Sequence, residues 1–144
     1  MRAVCQRVSR ARVVVGDETV GQIGHGLVVL LGIARDDDAV TAERLAGKVA
    51  RLRIFEDAER KFARGLLDVR GAALIVSQFT LIADTAKGNR PSFVQAAAPE
   101  QAEPLYERFC SELRSLSVPV ETGTFGARMA VELVNDGPVT IVLG

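Results

Sequence analysis

Few residues in this chain are equipped for chemistry, and most of those few are accounted for by structure. His25 is the only histidine. Zinc sites with two or three histidine ligands are therefore impossible within one chain, and any Ser-His-Asp or Cys-His machinery would have to use His25. It lies in Gly24-His25-Gly26 between two apolar runs, so it reads as a turn residue with no base or nucleophile at a useful spacing. Asp36-Asp37-Asp38 lacks the ligand pattern of a calcium loop and reads as a helix start. Gly21 to Gly26 contains Gly-x-x-Gly-x-Gly, but between strands, with no helix start to hold a phosphate. Cys5 and Cys110 fit no metal or redox spacing and read as buried thiols of a reducing cytoplasm. Asp17-Glu18 and Glu56-Asp57 read as turn residues and solvated faces. No metal or cofactor is expected. Two segments remain: Ser77-Gln78-Phe79-Thr80-Leu81, on the end of an apolar strand, and Asn135-Asp136-Gly137-Pro138-Val139-Thr140. The first offers hydrogen-bonding groups and an aromatic face. The second holds a Gly-Pro link, and most X-Pro bonds are trans.

The elements that must position these segments follow from periodicity. The chain has 144 residues, enough for a single domain over 1–144 that buries its own core. Arg2 to Val15 predicts a long strand, Gly16 to Thr19 a turn, and Val20 to Ile23 and Leu27 to Ile33 two more strands. Leu27 to Leu31 is apolar on both faces, which predicts a central, covered strand. A helix then opens at Asp36-Asp37-Asp38, with Leu45, Val49 and Leu52 on its apolar stripe. Ile54 to Val69 reads as short strands with a loop, Ala72 to Thr80 as a strong strand, and Ala83 to Ser92 as a loop. Pro99 starts a second helix that stops near Ser117. Strands return around Met129, with Asn135 to Pro138 as punctuation and Val139 to Leu143 as the last strand. The expected class is α+β: a mostly antiparallel sheet, barrel-like at its core, with two covering helices.

Eighteen basic residues balance eighteen acidic ones. A protein that tracks a long nucleic acid needs an excess of cations to replace counterions, so DNA binding is not expected, while recognition of a short RNA end is compatible with neutrality. No stretch reaches the roughly 18 apolar residues that span a bilayer, and Met1 to Val15 has no continuous apolar core of a signal peptide.

Taken together the two segments resemble those of the D-aminoacyl-tRNA deacylase family, and the resemblance runs over the whole chain. It is carried by Ala3-Val4-Cys5-Gln6-Arg7-Val8 with Ala11-Arg12-Val13, by Gly26 to Ile33 with Asp36 to Asp38, and by Arg53-Ile54-Phe55. It continues through Ser77 to Leu81 with Ala83-Asp84, through Arg90-Pro91-Ser92-Phe93, and through Leu133 to Thr140. Lys61 to Asp68 departs from it, reading KFARGLLD where the family shows a more polar run.

The resemblance implies a carboxylic ester hydrolase that frees D-amino acids from the terminal adenosine of tRNA, and glycine from mischarged tRNA-Ala. It implies chiral proofreading by a homodimer in which a cis Gly137-Pro138 link reaches the partner's pocket and faces Ser77 to Thr80. The family's site then falls on Ser77, Gln78, Phe79, Thr80, Gly137 and Pro138, with Phe79 and Thr80 at the reacting ester. Main-chain carbonyls there would occupy the space an L side chain needs, which is rejection by clash. N–H groups near Phe79 and Thr80 would steady the oxyanion, and the ribose 2′-hydroxyl would assist water. Thr80 as a nucleophile stays open, although no base is evident for it. The alternatives are a non-catalytic RNA-end binding module and an esterase for free D-amino-acid esters.

Overall fold

The computed structural model describes residues 1–144. Strand β1 (Arg2–Val15) is the organiser. Its first half pairs antiparallel with β3 (Gly26–Gly32), its second half with β2 (Glu18–Ile23), and its other edge with β8 (Ala130–Leu143) along most of its length. The sheet continues from β3 to β6 (Ala72–Ser77) and β7 (Val120–Thr122), both in parallel pairings. A small hairpin, β4 (Phe55–Glu56) and β5 (Phe62–Arg64), stands apart, within the region expected to hold short strands. Two helices, α1 (Ala39–Arg51) and α2 (Pro99–Ser115), cover one face. The α+β arrangement expected from the sequence holds, with two parallel pairings inside an otherwise antiparallel sheet.

Alternation explains the two cores. Leu27, Val29 and Leu31 of β3 join Ala73 and Ile75 of β6 beneath the helices, against Leu45, Val49, Phe109 and Leu113. Val28, Leu74 and Val76 point the other way, into a second cluster with Val8, Ala11, Val13 and Ile23 inside the curled sheet. A strand buried on both faces reads as a continuous apolar run, as Leu27 to Leu31 does. Asp38 alone caps α1: its carboxylate accepts from the Thr41 N–H and hydroxyl, both at 2.9 Å, which lowers its pKa. The helix starts one residue later, at Ala39, with no acidic side chain in its first turn, and Asp37 accepts instead from the Ala34 N–H at 2.7 Å.

Three expectations are corrected. The strand predicted over Ala72 to Thr80 ends at Ser77, and Phe79–Ile82 forms a 3-10 turn. The β3–β6 ladder runs out at Leu31↔Ser77, and the Gln78 N–H donates to the Leu31 carbonyl at 2.8 Å as the chain turns away. Gly32 permits that turn, since a Cβ there would lie 2.9 Å from Leu81 Cβ and 3.0 Å from the Gln78 carbonyl oxygen. Next, Asn135 to Pro138 does not end a strand. It is a bulge within β8: Asn135 faces Val8 and Thr140 faces Gln6, so four residues span the place of Arg7. Asn135 ties the bulge, accepting from the Val139 N–H at 3.2 Å and donating to Thr140 Oγ1 at 3.1 Å. Finally, β7 was not anticipated, because three residues, Val-Glu-Thr, are too few to show a period.

Cys5 and Cys110 are free and fully buried, as expected. Burial pushes their thiols up to about 12 and about 11 from 9.0. The unfolded chain ionises them first, so stability is intact below pH 9 and falls as pH rises from 9 toward 11. The slope approaches about 1.4 kcal/mol per pH unit for each thiol. Urea midpoints at pH 8 and pH 10 check this: equal midpoints would contradict it.

Candidate active site

Parallel pairing brings the carboxyl ends of β3 and β6 to the same rim. Beyond that rim lies a cavity of about 630 Å³, lined by sixteen residues, twelve of them hydrophobic. Ser77, Gln78 and Phe79 come from the end of β6, Phe93 and Ala97 from the approach to α2, and Met129 from the approach to β8. None of the sixteen is ionisable. A catalyst working here has no carboxylate, histidine, lysine or thiol in its walls to move a proton.

Phe79 is exposed and meets the Phe93 ring edge-on, with centroids 5.2 Å apart. The pair forms an aromatic corner at the mouth. Inside the 3-10 turn the Leu81 N–H donates to the Gln78 carbonyl at 3.1 Å, so the N–H groups of Phe79 and Thr80 have no carbonyl within the turn to reach. Below the turn, the Tyr106 hydroxyl donates to the Ile75 carbonyl at 2.8 Å. Burial pushes the Tyr106 pKa up, which keeps that donor protonated. Tyr106 also packs against Phe125, another lining residue, with ring centroids 5.6 Å apart.

Thr80 stands beside the cavity rather than in its wall. It is exposed, and its hydroxyl accepts a hydrogen bond from the Gln78 side-chain amide. Nothing near it accepts its proton, as a nucleophile would require. Gly137 and Pro138 do not line this cavity in their own chain. Their peptide bond is cis, and both residues are exposed in the bulge of β8. His25 sits in the β2–β3 turn, edge-on to Phe55 at 5.2 Å, and has no place in the cavity.

Sequence reasoning passed over two things. Arg7 is 5% exposed, a buried charge inside β1. Its guanidinium donates to the Ile54 carbonyl at 2.8 Å, to the Asp136 carbonyl at 3.1 Å and to Glu56 at 3.4 Å. It also lies over the Phe62 ring at 5.7 Å. It thereby fixes the bulge that carries Gly137 from below, a role that the reading of Arg2 to Val15 as a long strand gave no reason to expect. The other omission is the wall formed by Phe93, Phe125 and Met129, whose local sequences look like ordinary loop and strand.

The family model described as D-Tyr-tRNA(Tyr) deacylase matches residues 4–144. A D-aminoacyl-tRNA deacylase of Symbiobacterium thermophilum is 62% identical over 143 residues, covering 99% of this chain and 95% of the relative. One of Roseiflexus sp. is also 62% identical, covering 99% and 92%. Among solved structures, the c-Myc DNA unwinding element binding protein superposes with a TM-score of 0.95 at 45% identity, covering 100% of this chain and 98% of that one. A probable eukaryotic D-amino acid tRNA deacylase shares the fold at a TM-score of 0.85 and 22% identity, covering 99% and 97%.

Proposed function

Since the chain belongs to the D-Tyr-tRNA(Tyr) deacylase family, we propose that it hydrolyses the ester of D-aminoacyl-tRNA in the cavity beyond β3 and β6. The observation that supports this most is the mouth: a neutral, largely apolar cavity flanked by the Phe79–Phe93 corner and by two backbone N–H groups of one turn. The aromatic corner suits the terminal adenosine, because unpaired bases stack on or abut aromatic rings. The N–H groups of Phe79 and Thr80 suit the oxygen that becomes negative as water adds to the ester carbonyl. One such donor is worth about 3–4 kcal/mol in other acyl-transfer enzymes.

With no ionisable wall, the ribose 2′-hydroxyl relays a proton: it accepts one from the attacking water as it gives its own to the departing 3′-oxygen, so that the acid and the free 3′-hydroxyl form together. An aminoacyl ester is labile already, so orientation and oxyanion stabilisation suffice. Ser77 and Gln78 line the cavity and serve to bind substrate, and Gln78 holds the Thr80 hydroxyl as acceptor.

Selection of the D form belongs, in this reading, to a homodimer. The exposed bulge with Gly137 and Pro138 enters the partner's cavity opposite Ser77 to Thr80, and its carbonyls stand where an L side chain would go. Glycine has no side chain to clash, so glycyl-tRNA passes the same filter. Such an enzyme serves translation quality control in the cytoplasm, where two reduced, buried thiols are at home.

Incubation with D-tyrosyl-tRNA and L-tyrosyl-tRNA tests the reading. Release of tyrosine from the D form alone is expected. Protection without release would make the chain an RNA-end binder, and indifference to the tRNA would make it an esterase of free D-amino-acid esters. In the same assay Thr80→Ala is expected to lower the single-turnover rate by less than about tenfold, the size of one modest neutral hydrogen bond. A loss of about a thousandfold would instead make the Thr80 hydroxyl the nucleophile.

A further inference from the structure

A second, smaller cavity of about 330 Å³ lies next to the first, lined by Asp84, Lys87, Arg90, Ser92, Val94 and Gln95. The two share a wall: Phe93, which lines the large cavity, stands between Ser92 and Val94, which line the small one. Their characters are opposite. The large cavity has no charge, and the small one has one apolar residue among six.

Its loop is built rather than slack. Asp84 and Ser92 exchange main-chain hydrogen bonds, both at 2.8 Å, closing the loop at its neck. The Asp84 carboxylate accepts from the Ala86 N–H at 2.9 Å. Gly88 takes the tip at φ +70°, a conformation that favours glycine. Lys87 and Arg90 are exposed on either side of that tip, and neither joins any ion pair or side-chain hydrogen bond of the fold. By contrast Arg7, Arg12, Lys61 and Arg108 all sit beside carboxylates.

We propose that Lys87 and Arg90 hold the phosphates of the single-stranded nucleotides that precede the terminal adenosine of the tRNA. This rests on the deacylase reading. If the adenosine occupies the Phe79–Phe93 corner, the chain leading to it must leave along the neighbouring surface, and it carries a negative charge at every nucleotide. Lys87 and Arg90 are the two cations that line the small cavity beside that corner, and neither is held by a carboxylate. Asp84 leaves the small cavity a net charge of one positive, which matches a short contact and not a long duplex track.

The experiment compares D-tyrosyl-tRNA with the D-tyrosyl 3′-ester of adenosine, which keeps the base, the ribose and the ester but has no phosphate. For the Lys87→Ala/Arg90→Ala double variant, KM for D-tyrosyl-tRNA is expected to rise about tenfold, and the slope of log(kcat/KM) against log salt to become shallower by about 1.4, the figure for two phosphates of a single strand. Hydrolysis of the adenosine ester is expected to stay within about twofold of the unmodified protein, since that substrate offers no phosphate to hold. Lys87→Arg/Arg90→Lys keeps both charges and is expected to keep KM. An unchanged KM and salt slope on tRNA would overturn the inference while leaving the deacylase reading intact. Equal losses on both substrates would overturn it too, by showing that the loop only shapes the mouth. Failure of the unmodified protein on both substrates would defeat the deacylase reading itself, and this inference with it.

Discussion

Gly137→Ala is expected to lower hydrolysis of D-aminoacyl-tRNA by about a hundredfold, and mixing it with a variant damaged in the other half of the site is expected to bring activity back. The residue sits at φ +129°, where L side chains are rarely found. A Cβ there would lie 2.8 Å from Val139 Cγ2 and 3.1 Å from the Arg7 guanidinium. Arg7 is buried and held from outside the bulge by the Ile54 carbonyl and Glu56, so it is the bulge that must shift. A displacement of order 1 Å in a positioned group costs about a hundredfold in rate. The bulge is exposed, so the fold itself should survive, which circular dichroism checks. The decisive part is the mixture. When the Gly137→Ala chain is refolded with a Gly32→Ala chain, half of random dimers are mixed, and each mixed dimer has one sound cavity facing one sound bulge. Activity then recovers to about a quarter of the unmodified level, provided each site draws on both subunits of a symmetric dimer. No recovery would mean that bulge and cavity do not work across an interface.

Gly32→Ala, the second partner in that mixture, is expected by itself to reduce single-turnover hydrolysis by about a hundredfold, again the scale of an ångström of misplacement. Gly32 ends β3 directly under the turn that carries Phe79 and Thr80. A methyl group there meets Leu81 Cβ at 2.9 Å and the Gln78 carbonyl at 3.0 Å, closer than such contacts settle. The turn is the exposed and less anchored side, so it moves, and its N–H groups leave the position where the oxyanion forms. The readout is the rate at saturating substrate, with KM changing less, because the adenosine corner also draws on Phe93. Retention of full activity would show that the N–H groups of this turn do not stabilise the transition state.

The sequence was legible where one period ruled. Arg2 to Val15, the doubly buried Leu27 to Leu31 and the helix that starts at Pro99 each repeat long enough to betray strand or helix, and each stands as expected. It was not legible where a neighbour decides. Ser77 to Thr80 reads as continued strand, because Phe and Thr favour extended backbone; the pairing with β3 stops at Leu31 and Gly32 leaves room for the chain to fold back. Likewise Asn135 to Pro138 looks like a terminator, and only the length of β1 opposite shows it to be a bulge. Arg7 gave no signal of burial, since the carbonyls of Ile54 and Asp136 and the carboxylate of Glu56 that satisfy it come from distant parts of the chain. The site segments could be singled out by residue type, but their division between a cavity wall and a remote bulge belongs to the sheet.

The carboxyl ends of β3 and β6 carry the turn at Phe79–Ile82, and these two strands are the most deeply enclosed of the fold. Their amides therefore belong among the last to exchange with solvent, in the unit that opens only when everything opens. The frame beneath the turn therefore opens only with the whole fold, and exchange at β3 and β6 should report the global stability.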